Sequence, residues 1–393
     1  MKRTLLDCIR CFFILTFIFS VGMLLVYQIP NEALEPQFTK SVEQVGKEDI
    51  YANFMFNSDA SIMDNFMDNL MLLTCRISDE YDSSLKAAFD NNGYPRYWNG
   101  YLLTLRPILS QFSYQQIRYI NMFLLVTAFC FCFSGIHREL SWITALGFAI
   151  SVIMCFLILV PESLQYFSVF MIFFIEMLLI LYIPSLRTRE KLPVRFFAAG
   201  MAANFFDMLT APLLTLGMPL ILVICLYWKN STGTGLFDSL RETVIHSFAW
   251  GMGYALCWAA KWTLGTIILQ KNVFSDAMAT AKFRVEGSEA YPLDRALMFR
   301  LNFETYFFAK GHKPFMIIGV ILLALIIYLI CSHKRNWFQR IIPLLFVALF
   351  PYIWFFVFAN HSQLHYFYTY RIQAVTLFAL FAATGNAVSL KKA

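Results

Sequence analysis

The sequence predicts an all-α polytopic membrane protein with about ten transmembrane helices and a helical extracytoplasmic loop after the first of them. Three observations lead there. Of 393 residues, 59% are hydrophobic and 14% charged, with a mean hydropathy of +0.59; a soluble domain is roughly half apolar and a quarter charged. Phenylalanine alone supplies 42 residues, which suits lipid-facing and helix-packing surfaces. The charges that remain sit in short clusters between apolar runs, as in cytoplasmic membrane loops. The formal charge of +6 is therefore a loop signature and no footprint of nucleic acid.

Residues 1–10 are basic and lead into an apolar run that ends near residue 28. That run is too long for a signal-peptide core and lacks a small-residue cleavage site, so it reads as a retained helix. A long polar segment, 31–116, follows. Apolar runs of bilayer length come next at 118–136, 141–160, 166–183, 196–211, 212–228, 245–270, 315–332, 341–359 and 372–389. The pair at 196–228 has to fold as two short helices around Asp207. The chain thus divides into a tail and first helix (1–30), an external loop (31–116) and a transmembrane domain (117–393) with external segments at 271–314 and 360–371.

Lysine and arginine placement gives the orientation. With the N-terminus inside, Lys2/Arg3/Arg10, Arg138, Arg187/Arg189/Lys191/Arg195, Lys229/Arg241, Lys334/Arg335/Arg340 and Lys391/Lys392 all fall on the cytoplasmic side. Both termini are then cytoplasmic, in a multi-pass protein of the plasma membrane. Of the nine cysteines only Cys75 lies in a long polar segment, so no disulfide framework is available. Cys8 and Cys11 have CxxC spacing without a second pair and read as membrane-embedded thiols.

The first loop holds an apolar-periodic stretch at 61–73, acidic residues at 79–82, and the aromatic run Tyr94-Pro95-Arg96-Tyr97-Trp98-Asn99-Gly100-Tyr101. The mixture reads as short helices at the membrane surface, with Trp and Tyr at headgroup level.

Four places carry candidate chemistry. Asp64 and Asp68 stand at i and i+4, one face of a helix. Two carboxylates there suit a general base on a sugar hydroxyl, or hold a divalent cation such as Mg or Mn against a phosphate leaving group. The same spacing also fits the solvated face of a surface helix. Asp207, inside an apolar stretch and before Pro212, either faces a cavity at the outer surface or caps the next helix with Thr210 in its turn. His361 and His365, at i and i+4 in the last external segment, can bind a metal or pair with a pyrophosphate, and Tyr370-Arg371 follows, where Arg371 can clamp phosphate bidentately. That spacing lacks the inner glutamate of a metalloprotease helix; an interfacial aromatic belt with incidental histidines is the plainer account. Lys261 either snorkels to the interface or meets a phosphate in a central cavity. Arg96, Arg106 and Arg118 are further phosphate candidates, with loop salt bridges as the alternative.

Met63-Asp64-Asn65-Phe66-Met67-Asp68-Asn69, Pro95 through Tyr101, Phe206-Asp207-Met208-Leu209-Thr210 and Asn360-His361-Ser362 through Tyr370-Arg371 resemble the outline of the GT-C-fold membrane glycosyltransferases. More narrowly, the chain resembles bacterial membrane proteins of envelope polysaccharide synthesis. The resemblance implies a GT-C-like fold, a polyprenyl-phosphate sugar donor, a glycan or lipid acceptor, and an acidic residue of the first external loop as base or metal ligand. Asp64 and Asp68 match that role; just after the first helix, where such a motif often stands, this chain has only Glu32 and Glu35. Arg96, Trp98, Asp207, Lys261, His361, His365, Tyr370 and Arg371 are then the expected substrate contacts. No GxxxxGKS loop occurs, in keeping with a lipid-linked rather than a nucleotide energy source. A transporter, flippase or polymerase of lipid-linked saccharides is the alternative; its matching broken helices in two halves are not evident.

Overall fold

The computed structural model describes residues 2–230, 235–310 and 335–389, with 312, 314, 317–321, 323 and 325 between them. Regular structure among the described residues is helical; the extended pairings are two isolated bridges, Asn53 with Ile62 and Gly287 with Pro292. The helices in chain order are α1 (Lys2–Val26), α2 (Asn31–Lys47), α3 (Asn65–Thr74), α4 (Ser84–Asp90), α5 (Leu102–Leu109), α6 (Tyr114–Glu139), α7 (Trp142–Ile153), α8 (Leu164–Tyr182) and α9 (Leu192–Phe206). There follow α10 (Leu214–Asn230), α11 (Leu236–Leu269), α12 (Val273–Glu286), α13 (Arg295–Phe307), α14 (Arg335–Ala348), α15 (Phe350–Val357), α16 (Ala359–Leu364), α17 (Tyr366–Thr369) and α18 (Ala374–Ser389). Among the described residues, α1, α6 and α8 are long and apolar enough to cross a membrane; α7, α9, α10 and the stretch 341–357 are shorter apolar helices. The chain thus carries the apolar helices of a membrane protein.

The elements follow the sequence reading with informative departures. The run 196–228 does fold as two helices around Asp207. The apolar run 141–160 stays helical only to Ile153; Phe156 adopts a positive φ and the chain continues through a short 3-10 turn to Glu162. The segment 271–314 contains two helices, α12 and α13. The run 341–359 is split where Pro351 opens α15. Most of the run 315–332 lies outside the described residues.

The loops sort to two ends of the bundle. At one end Lys229 donates to the Glu139 carbonyl (2.7 Å), Arg187 pairs with Glu139 (3.5 Å) and Arg189 faces Glu242 (3.9 Å). At the other, Tyr366 donates to Asp59 (3.0 Å), Tyr370 to the Ala60 carbonyl (2.8 Å), and Asn360 to the Phe283 carbonyl (2.9 Å). The segments read from sequence as external are therefore in contact with one another, as are those read as internal.

The second of these ends rests on the close crossing of α9 and α11. A Cβ at Gly200 would lie 2.1 Å from the Trp250 carbonyl oxygen, and one at Gly253 would lie 2.0 Å from that of Phe197. Only glycine lets the two backbones meet at both points, the small-residue device of membrane helix pairs.

The aromatic run of the first loop is plugged into the bundle. The Trp98 indole donates to the Cys257 carbonyl (3.0 Å), and Gly100 N–H to the Phe205 carbonyl (2.9 Å). Arg106 is buried and donates to the carbonyls of Val26, Ile29 and Cys75, holding the ends of α1 and α3. The aromatic run is thus interior packing, because its polar atoms find backbone partners there. Lys261 neither snorkels nor opens to a cavity. It is fully buried, donates to the Phe89 carbonyl at the end of α4 (2.8 Å), and lies over the Phe89 and Trp98 rings. Lys261→Ala removes that clamp and leaves a void, so a loss of about 3 kcal/mol is expected in thermal unfolding. Unchanged stability would show that α4 is held by its other contacts.

Candidate functional site

Asp64 is the N-cap of α3: its Oδ1 accepts the Met67 N–H at 3.1 Å, and among the described residues its second oxygen has no partner. Asp68, in the next turn, is completely buried. Its Oδ1 accepts from Ser163 Oγ (3.0 Å) and Gln165 N (3.2 Å), and its Oδ2 lies 2.6 Å from Tyr114 Oη. Neither aspartate is a solvated surface residue. Burial pushes Asp64 up to about 6 and Asp68 up to about 7, in each case against the hydrogen bonds just named.

Asp68 is a structural knot. Tyr114 Oη stands 2.8 Å from the Glu162 carbonyl as well as 2.6 Å from Asp68, yet a phenol carries one proton. If Tyr114 gives it to the carbonyl, the carboxyl must be protonated and donate to the phenol, in keeping with the raised pKa. An asparagine would reproduce that pattern. The folded pKa of Asp68 lies above the unfolded value of about 3.9, so the stability it contributes is complete below about pH 4 and is lost as pH rises through about 7. Asp68→Asn does not titrate. Its melting temperature relative to the native protein is expected to rise between pH 4 and 7, whereas Asp68→Ala costs about 3 kcal/mol near pH 4 and less as the pH rises to 7. A parallel pH course for native protein and Asp68→Asn would contradict the protonated knot.

The last external segment brings together a second centre. His361 is buried, with Nδ1 accepting from Arg284 Nη1 and Nε2 donating to the Leu209 carbonyl at 2.9 Å. The imidazole is therefore the neutral Nε2–H tautomer, since a guanidinium only donates. Burial, then the Arg284 charge, holds it well below its ordinary range, and the same two causes bring His365 down to about 4. His365 stacks on Tyr368, centroids 5.1 Å apart.

Arg284, on α12, is the residue that sequence reading missed. No carboxylate among the described residues pairs with it, and its Nε has no hydrogen-bond partner. Tyr254 Oη, Thr210 Oγ1, both side-chain polar atoms of Asn204, and Asn360 Oδ1 are likewise buried and unpartnered. Asn360 adjoins His361, Thr210 follows Leu209 and Tyr254 lies within reach of the Arg284 charge, unspent hydrogen-bonding capacity that a folded protein keeps for a reason.

Beside Arg284 runs a narrow cleft of about 40 Å³ between α11, α12 and the aromatic run, lined by Arg96, Trp258, Trp262, Leu209 and Phe358 among others. Arg96 lies over the Tyr94 ring at 4.0 Å and pairs with Asp276 at 3.0 Å. The cleft's aromatic wall belongs to a ladder at i, i+4 spacing on α11. Trp250 stacks on Tyr254 (5.1 Å), Tyr254 meets Trp258 edge-on (5.1 Å), and Trp258 stacks on Trp262 (5.7 Å). The sequence signal was the repeated aromatic every fourth residue.

Tyr368 feels the charges of both Arg284 and Asp64, which makes it the link between the two centres. The other expected contacts do not converge on open space. Asp207 is buried; it accepts the Thr210 N–H with both oxygens (3.2 and 3.0 Å). It caps its turn, the plainer of the two sequence accounts. Trp98 and Lys261 hold the loop, as described. Tyr370 ties the 59–61 turn. Arg371 is buried, donating to the Cys155 (3.0 Å) and Phe367 (3.1 Å) carbonyls beneath the Tyr166 ring, with Nη2 unpartnered among the described residues. Arg118 makes the loop salt bridge, bidentate to Glu48 at 2.6 and 2.8 Å.

The carboxylates do not make a cation pair: Asp68 is consumed by its three hydrogen-bond partners, and no group of three His, Cys, Asp or Glu side chains gathers among the described residues. No protein family, no curated protein and no solved structure matches the chain.

Proposed function

We propose that the protein is a GT-C-like membrane glycosyltransferase of about ten spans, moving a sugar from a polyprenyl-phosphate donor to a cell-envelope glycan or lipid on the outer face of the plasma membrane. One observation carries this: an unneutralised arginine, Arg284, set among neutral histidines and unpartnered polar atoms at the end of a Trp258–Trp262 platform. A guanidinium without a carboxylate is an anion seat, and stacked indoles offer flat apolar faces to a sugar ring. The outward assignment of this end rests on the clustering of basic loops at the other.

In this reading the Asp64 carboxylate takes the proton of the acceptor hydroxyl, whose oxygen then bonds to the anomeric carbon. The bond from that carbon to the phosphate oxygen breaks, and the lipid phosphate leaves with the electron pair, its charge met by Arg284. Arg96, already paired with Asp276, flanks the seat. A cleft of about 40 Å³ has room for about three waters, at about 10–15 Å³ of such space each, and not for a sugar ring. The donor therefore enters only when α12 moves away from α11.

The test is the protein reconstituted in liposomes with a panel of labelled polyprenyl-phosphate sugars. Expected is loss of donor with release of lipid phosphate and a labelled product; intact donor appearing on the far leaflet would make the protein a transporter. Trp262→Ala is expected to raise the donor KM about tenfold with little change in kcat, the mark of a binding platform. A fall in kcat alone would contradict it.

A further inference from the structure

A second cavity, of about 440 Å³, lies apart from this site and is walled by Leu125 and Val126 of α6, Phe156 and Ile158 beyond α7, and Phe56 of the first loop. Phe56, Val126 and Ile158 on its rim are exposed. They lie beside a helix long and apolar enough to cross a membrane, so the mouth faces hydrocarbon. Among the described residues, one lining side chain is polar, His312. Its Nδ1 donates to the Tyr306 carbonyl at 2.7 Å, its ring packs on Phe156 at 4.9 Å, and among the described residues Nε2 has no partner.

A proton on Nδ1 leaves Nε2 as a bare acceptor. Burial, and after it the charge of Arg371, holds the ring below its ordinary range, so it stays neutral. A neutral acceptor in the wall of an apolar cavity matches a hydroxyl and disfavours an anion, which needs a donor there. Water is a poor occupant of so large a space with a single polar group, since a buried water takes about three hydrogen bonds.

We propose that this cavity seats the hydrocarbon chain of a neutral, alcohol-headed lipid, its hydroxyl donating to His312 Nε2. The site is independent of the Arg284 centre and stands whether or not that centre transfers sugar.

The experiment is photolabelling of the protein in lipid nanodiscs with dodecanol carrying a diazirine in the chain, compared with the matching dodecyl phosphate, and peptide mapping of the adducts. The alcohol is expected to label the peptides of Leu125 and Phe156, about tenfold more than the phosphate does. Val126→Trp, which fills the mouth, is expected to abolish that labelling. His312→Phe is expected to lower it about tenfold and His312→Gln, which keeps an acceptor, to restore most of it. Helix content and melting temperature identify any variant that fails to fold. Equal labelling by alcohol and phosphate in the native protein would overturn the proposal without any variant. So would labelling undiminished in a folded Val126→Trp.

Discussion

Asp64→Asn is expected to lower sugar transfer about 1,000-fold, the range of a lost general base, while Asp68→Asn retains most of it. The two residues are one turn apart on the same helix end, yet their surroundings separate them. Asp68 spends both oxygens on Ser163, Gln165 and Tyr114, whereas Asp64 keeps one oxygen free beside Tyr166 and Tyr368. Burial sets Asp64 at about 6, so it is ionised and still basic near neutrality. A base must be deprotonated to act, so kcat/KM is expected to fall tenfold per pH unit below about 6 and to be level above it. Asp64→Asn should remove that acid limb from whatever activity remains. If Asp68→Asn were the inactive variant and Asp64→Asn the tolerated one, the assignment would be reversed.

The second large effect is expected at Arg284. Arg284→Ala should lower kcat/KM about 100-fold, or about 2.7 kcal/mol, the scale of a lost charge-assisted contact to phosphate. Arg284→Lys should recover part of it, since the charge returns without the planar fork. Because no carboxylate among the described residues pairs with Arg284, its removal unpairs no buried charge, and stability should fall only by the lost hydrogen bond to His361 Nδ1, about 1 kcal/mol. A variant that melts early with normal transfer by its folded fraction would make Arg284 a strut for His361 and nothing more.

Much of this was legible in the residues and some was not. Hydropathy marked the apolar helices, including the break at Asp207, because a lipid-like environment tolerates few exceptions. It overestimated helix length at 141–160, where composition stays apolar after the helix has ended at Ile153. The i, i+4 spacing brought Asp64 and Asp68 to one helix end, yet the partners that tell them apart, Tyr114, Ser163 and Gln165, are tens of residues away in the chain. Arg371, Lys261 and Trp98 looked like ligand contacts because charged or amphipathic residues among apolar ones often are. Each instead satisfies a backbone carbonyl in the interior. Arg284 carried no local signal at all. In the sequence it is one cation among several in a polar segment, and only the fold places it against His361.

The most direct measurement is equilibrium binding of one polyprenyl-phosphate sugar to Asp64→Asn and Arg284→Ala side by side. The account requires that Asp64→Asn bind the donor within about threefold of the native protein without consuming it, and that Arg284→Ala bind it at least about tenfold more weakly. Equal affinity in the two variants would mean that Arg284 is not the phosphate seat and that the site proposed here is not where the donor binds.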